Sequence, residues 1–181
     1  MADVVLTLQE AEDLFWSLTL QTLGLNPAAP ASQKRVRIGW LTKGAPAWKI
    51  DEDVAFLLLN YNNDPINRQV DVAYLNQGTN YAKRVQSYTR VLTVTWVCYG
   101  PSSFDDADKI RSELFHPRTK ETLLRSNLAM ILDVEAPIRT PELFGGQWWE
   151  RTTFSARFNE LVTRSSDVAY IESANVQIVK E

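Results

Sequence analysis

Apolar residues along the chain predict a sheet built around one long central strand. Residues 86–99 are rich in β-branched and aromatic side chains and contain neither glycine nor proline, which predicts a strand. Both of its faces are partly apolar, with Leu92, Val94, Trp96 and Cys98 on one and Val91, Val97 and Tyr99 on the other. Such a strand is typical of the centre of a sheet that is covered on one side and partly covered on the other.

The central strand is predicted to end in a tight turn that leads into helices. Gly100 and Pro101 stop the strand, since proline has no amide to donate and glycine permits a sharp turn. A helix is expected from near Asp105 to Phe115, with Ser103 and Asp106 forming a capping box. After the break at His116 and Pro117, residues 118–125 are predicted to form a second, short helix.

The N-terminal part of the chain predicts a helix and two strands. Thr7 and Glu10 have the spacing of a capping box, the following apolar residues indicate about four helical turns, and Gly24 suits a left-handed C-terminal cap. Residues 36–41 alternate as in a short strand. Residues 53–61 contain a continuous apolar run, which favours a buried strand.

Residues 60–80 form a separate feature between two core strands. Turn-forming clusters of asparagine, glycine and proline bracket the weakly alternating segment 69–75. We expect a protruding hairpin or a long loop with a function, because long structureless loops are uncommon in compact domains. A disordered surface insertion is the alternative.

The C-terminal third predicts further strands. Residues 129–134 indicate one strand, and residues 151–164 alternate between apolar and polar side chains as in a half-buried strand. A turn at Ser165–Asp167 would then lead to a final strand over residues 168–179, giving an antiparallel hairpin. The expected fold is therefore α+β within a single domain over residues 1–181: a mixed, mainly antiparallel sheet flanked by helices, with an insertion at about residues 60–80.

Composition narrows the classes of function. The chain has 181 residues, 45% hydrophobic and 23% charged, as expected of a globular protein. Its net charge of -3 argues against a dedicated nucleic-acid binder. Without a long apolar run or a basic N-terminal segment followed by an apolar one, neither membrane insertion nor secretion is expected. Cys98, the one cysteine, is predicted to be a small buried residue of the central strand.

Residues suited to catalysis are scarce. His116 is the one histidine, and its place at a helix break favours a role at the helix terminus. Asp105, Asp106 and Asp108 are explained by the preference of carboxylates for a helix N-terminus, so we expect no metal site. The seven glycines form no phosphate-binding pattern. We therefore expect no cofactor and regard an enzyme as the weaker class.

The chain resembles the neck or tail terminator proteins of tailed bacteriophages. The resemblance extends from about Thr7 to Ile178 and rests on the order of the elements, on the turn Tyr99-Gly100-Pro101 with its following acidic helix, and on the segment 149–158. It also includes the closing residues 167–172. It implies a sheet flanked by helices and a ring, expected to be a hexamer, that caps the tail tube and joins it to the head connector. The protein would assemble in the host cytoplasm and reside in the virion.

The resemblance also implies surfaces for self-association and for contact with the tail tube protein and the head connector. Tyr74, Tyr81, Trp148 and Trp149 are the predicted anchors, with Arg151 beside them, because aromatic residues supply much of the energy of interfaces. Core burial is the alternative for each tryptophan, and for Trp96 it is the favoured interpretation. The genome would pass through the lumen without specific binding, since an acidic ring disfavours tight phosphate contacts.

Two other classes remain open on the sequence. Another head-to-tail connector with twelve-fold symmetry, or a minor tail protein, could be built from a similar small α/β module. A small ligand-binding module or enzyme would instead show a deep pocket lined by convergent polar groups.

Overall fold

The computed structural model describes residues 3–39, 48–76 and 81–169. In this part of the chain the helices are α1 Leu8–Thr22, α2 Pro30–Arg35, α3 Ser103–Leu114 and α4 Pro117–Arg125. The strands are β1 Val36–Ile38, β2 Val54–Asn62, β3 Val70–Asn76, β4 Tyr81–Tyr99, β5 Leu128–Ile131, β6 Ile138–Arg139, β7 Glu142–Phe144, β8 Gln147–Trp149 and β9 Arg151–Ala169. None of the helices in the described ranges is long and apolar enough to cross a membrane.

Two strands of 19 residues each, β4 and β9, form the centre of a seven-stranded sheet. They pair antiparallel along their whole length, from Tyr81 opposite Ala169 to Tyr99 opposite Arg151. The sheet order is β1-β2-β4-β9-β5, with β3 also beside β4 and β6 also beside β9. The pairing of β1 with β2 is parallel and the others are antiparallel, so the predicted α+β fold is confirmed.

The larger core lies on the face of the sheet that the helices cover. Trp96 stacks on Phe154 with ring centroids 4.9 Å apart, and Phe15 of α1 packs edge-on against Trp96. The Trp96 indole N–H donates to Thr19 Oγ1 at 3.0 Å, which satisfies the buried donor. Cys98 is buried in the same cluster, and burial raises the pKa of its thiol to about 12. The predicted core positions of Trp96 and Cys98 are confirmed.

A second, smaller core covers one end of the opposite face. Val54, Phe56, Val97, Tyr99 and Trp149 form this cluster. Trp48 packs against it, within 5.0 to 5.9 Å of three of the aromatic rings. The inner half of the central strand is therefore covered on one side and partly covered on the other, as its sequence predicts.

The caps of α1 are those predicted. The Thr7 side chain accepts from the Glu10 N–H, and the Glu10 carboxylate accepts from the Thr7 N–H. At the C-terminal end, Gly24 has a φ of 71°, and its N–H donates to the Gln21 carbonyl while that of Leu25 donates to Leu20. These two bonds satisfy carbonyls that the helix itself leaves unpaired.

The predicted capping box of α3 is wrong. The helix begins at Ser103, two residues earlier than expected, and its N-cap Ser102 makes no side-chain capping bond. Ser103 is buried, and its hydroxyl contacts that of Thr152 at 3.2 Å. Asp106 forms an ion pair with Arg35 instead. Contacts with β9 and α2 therefore replace the local bonds that the Ser-Asp spacing suggested.

The break between α3 and α4 lies where it was predicted. α3 ends at Leu114, and α4 begins at Pro117, whose missing N–H is tolerated in a first helical turn. His116 Nδ1 accepts from the Arg118 N–H at 3.3 Å, so His116 caps α4.

Both central strands are longer than predicted. β4 begins at Tyr81, five residues before the expected start, and β9 continues without a break through residues 165–167. The predicted turn at Ser165–Asp167 is wrong because these residues pair with Val85, Arg84 and Lys83 of β4, and this pairing outweighs their turn preference. The predicted final strand lies outside the described residues beyond Ala169, as do Trp40 and Leu41 of the first strand.

Candidate assembly surfaces

The sheet extends beyond its cores as a three-stranded arm. The arm consists of β3, residues 81–88 of β4 and residues 162–169 of β9. β2 pairs with the inner half of β4 and ends opposite Val91, and β3 pairs with the outer half from Tyr88 onward. All seven residues of β3 are exposed. The hairpin alternative for residues 60–80 thus agrees with the strand pairing on both sides of residues 77–80.

One face of the arm combines apolar residues with arginines. Alternate residues share a face, so this surface continues the helix-covered side of the sheet. We call it the arginine face; it comprises Val70, Val72, Tyr74, Asn76, Ala82, Arg84, Gln86, Tyr88, Val162, Arg164, Ser166 and Val168. None of these twelve residues is acidic. Arg84 donates to Gln86 Oε1 at 2.9 Å, and Arg164 donates to the Tyr88 hydroxyl at 3.3 Å.

The two edges of the arm differ. At the β9 edge, Thr163 exchanges backbone hydrogen bonds with Val4, and the Ser165 N–H donates to the Asp3 carboxylate at 2.9 Å. At the β3 edge the alternation of the ladder directs the backbone groups of Val70, Val72 and Tyr74 away from β4. Within the described residues these groups have no backbone partner. Among the described residues, one edge is therefore paired with the N-terminal segment of the chain, and the β3 edge has no strand beside it.

A buried ion pair lies where the arm joins the core. Glu160 is 1% exposed and pairs with Arg90 at 2.8 Å on the neighbouring strand. The Leu6 N–H donates to Glu160 and the Leu6 carbonyl accepts from Arg90, which attaches the N-terminal segment to the sheet. The Tyr61 hydroxyl donates to Glu160 at 3.1 Å, and burial together with that carboxylate raises the pKa of Tyr61 to about 12. This network satisfies charges that would otherwise be costly to bury.

The hairpin of β7 and β8 presents a second apolar projection. Leu143 and Trp148 lie directly opposite each other and are 58% and 67% exposed. Trp149 points the other way into the smaller core, and its indole N–H donates to the Phe144 carbonyl at 3.3 Å. Adjacent residues of one strand thus have opposite environments.

The rest of the sheet face opposite the helices is polar and largely uncharged. Thr95 and Ser155 hydroxyls are 2.8 Å apart, and the Asn62 amide donates to Thr93 Oγ1 at 2.6 Å. Arg157 on this face is paired with Asp133 at 3.4 Å. These side chains satisfy one another and present no concentrated charge to a ligand.

The described residues contain no group of three His, Cys, Asp or Glu side chains that could hold a metal ion. Glu160, the buried carboxylate, is occupied by structural hydrogen bonds. The features that stand out chemically are therefore the exposed apolar surfaces.

Comparison with known protein families assigns the chain to one of them. A family model for phage neck terminator proteins matches residues 9–181. The chain belongs to this family. The resemblance noted from the sequence is confirmed, and the chain is a structural component of the bacteriophage neck. No curated protein matches the sequence.

In this neck terminator family member the predicted anchor residues lie on two separate surfaces. Tyr74 and Tyr81 belong to the arm, 63% and 55% exposed, and lie on its opposite faces. Trp148 is exposed at the hairpin, whereas Trp149 is buried in the smaller core. Arg151 is partly buried between Tyr99 and Glu142, with its guanidinium 3.6 Å from that carboxylate. Their roles in an interface remain predictions.

Sequence reasoning missed the arginine face. The central strand was expected to begin at Gln86, so Lys83 and Arg84 fell outside it. The strand period itself would have placed Arg84 beside Tyr88, had the strand been extended back to Tyr81. The partner of Arg84 across the ladder, Tyr74, is determined by long-range pairing that no local pattern shows.

Proposed function

We propose that the protein forms a ring, a hexamer, at the head-proximal end of the phage tail. There it stops assembly of the tail tube and joins the tail to the head connector. The observation that supports this function best is β3, a seven-residue strand that belongs to neither core and is exposed along its whole length. Exposed apolar strand edges promote association, and monomeric proteins usually block them.

Ring formation is supported by the positions of the exposed surfaces. The arm and the β7–β8 hairpin are different surfaces of the molecule. A contact between unlike surfaces closes into a ring when a whole number of equal rotations between neighbouring copies completes a full turn. Two exposed apolar surfaces allow one to serve contacts within the ring and the other to serve the tail tube protein or the head connector.

The lumen of the proposed ring would let the genome pass without holding it. The polar face of the sheet offers the hydroxyls of Thr93, Thr95 and Ser155, and Arg157 on this face is paired with Asp133 instead of being free to retain phosphates. The role is structural, and we propose no catalytic activity.

Loss of the protein from the phage that encodes it tests this function. Without the chain, tail tubes should vary in length and remain detached from filled heads, and wild-type protein supplied in trans should restore joined particles. Normal tails on normal heads in its absence would contradict the proposal. A particle reconstruction with twelve copies of the chain would assign it to a connector layer instead.

A further inference from the structure

We propose that the arginine face of the arm binds the acidic N-terminal half of α1 on a second copy of this chain. This inference rests on the proposed ring and names the surfaces through which neighbouring copies meet. It follows from the exposure of β3, from the charge of the arm and from the charge of α1.

The arm requires an acidic and partly apolar partner. Val70, Val72 and Tyr74 expose apolar surface beside Arg84 and Arg164, and the twelve residues of the face include no carboxylate. Asp3 lies near Arg164, whereas Arg84 donates to the neutral side chain of Gln86. Bringing an uncompensated cation into an interface is costly, whereas pairing it with a carboxylate gives both orientation and specificity.

The same chain carries a matching surface on α1. Glu10, Glu12 and Asp13 lie in its first half, and residues 8–22 contain no lysine or arginine. Leu8 beside them is 48% exposed. Hydrogen bonds from the Thr7 backbone and side chain lower the pKa of Glu10.

The chain does not bring these two surfaces together within one molecule. In the described residues no ion pair joins Arg84 or Arg164 to α1; Arg164 lies 3.7 Å from Asp3, and Arg84 donates to Gln86. α1 packs instead on β1, β2 and α3. A second copy can supply the complementary surface, and because arm and helix are unlike surfaces, the contact repeats from copy to copy.

Charge reversal on both sides of the proposed contact provides the test. Arg84→Glu and Asp13→Arg variants are each supplied to phage that lacks its own copy, and infectious particles are counted. Each variant alone should lower the yield about tenfold or more, because like charges then meet at every contact. Lys120→Glu, an exposed reversal on α4, is the matched control and should leave the yield unchanged.

Supplying both variants together separates the contact from a folding defect. Copies that alternate around the ring pair the reversed arm with the reversed helix and the native arm with the native helix, so the mixture should regain most of the wild-type yield. Thermal melting of each variant near the wild-type midpoint would show that the fold is kept.

Wild-type yields from either single variant, or no recovery in the mixture, would overturn the pairing while leaving the ring intact. Failure of the proposed function is distinguishable, because phage without the chain would then already give normal, joined particles.

Discussion

Gly100 shows how a single residue positions the central strand relative to α3. Its φ is 103°, and an added Cβ would lie 2.5 Å from Asp53 Oδ1 and 2.7 Å from the Glu52 carbonyl oxygen. The Asp53 carboxylate also accepts from the Ser102 N–H at 2.8 Å, so the turn and the segment before β2 are joined. A side chain at this position would separate them.

Gly100→Ala should therefore lower the free energy of unfolding by about 2 kcal/mol or more, because backbone strain and the clash act together. Gly24→Ala is the matched control: its φ of 71° is also positive, but no atom lies within 4 Å of the added Cβ. That change should cost about 1 kcal/mol. Chemical denaturation of both variants measures the difference, and equal losses would show that the close approach to Asp53 contributes nothing.

A substitution of Glu160 tests how much a single residue stabilises the junction between the arm and the core. Glu160→Gln leaves Arg90 beside a neutral amide in a largely buried place, and we expect a loss of about 3 kcal/mol. Glu121→Gln breaks the ion pair with Arg125, whose side chains are both mostly exposed, and should cost less than about 0.5 kcal/mol. A Glu160 variant as stable as the Glu121 variant would mean that the buried pair does not hold the N-terminal segment.

At the scale of elements, the β7–β8 hairpin separates stability from assembly. Trp149→Ala removes a buried side chain from the smaller core and should destabilise the folded chain by about 3 kcal/mol. Trp148→Ala removes an exposed one and should leave the unfolding midpoint nearly unchanged while lowering the yield of assembled particles. A Trp148 variant that assembles normally would remove the hairpin tip from the list of contact surfaces.

Some of the secondary-structure elements could be predicted from the sequence and others could not. The caps of α1, the Gly100-Pro101 turn and the helix break at His116 and Pro117 follow from local rules, and the structure has them. The length of β9 does not follow from local rules. Its residues 165–167 favour a turn locally, but their pairing with β4 keeps them in the strand. The arm also depends on long-range pairing, and this pairing places Tyr74 opposite Arg84.

For the whole molecule, the fold and the assembly draw on different residues. Apolar side chains such as Trp96 and Phe158 fill the helix-covered core, while Val72, Tyr74 and Trp148 remain exposed on the arm and hairpin. The sequence distinguished these groups in part: the core position of Trp96 was predicted, whereas Trp148 and Trp149 were given the same role although one is exposed and one buried. Strand pairing determines which of two adjacent residues faces the core, and composition does not show this pairing.

The mass and symmetry of the neck layer in assembled particles test the central claim most directly. The account predicts six copies of this 20.6 kDa chain in a closed ring, with the arm of each copy against α1 of the next. A chain that is monomeric both in solution and in the particle would contradict it.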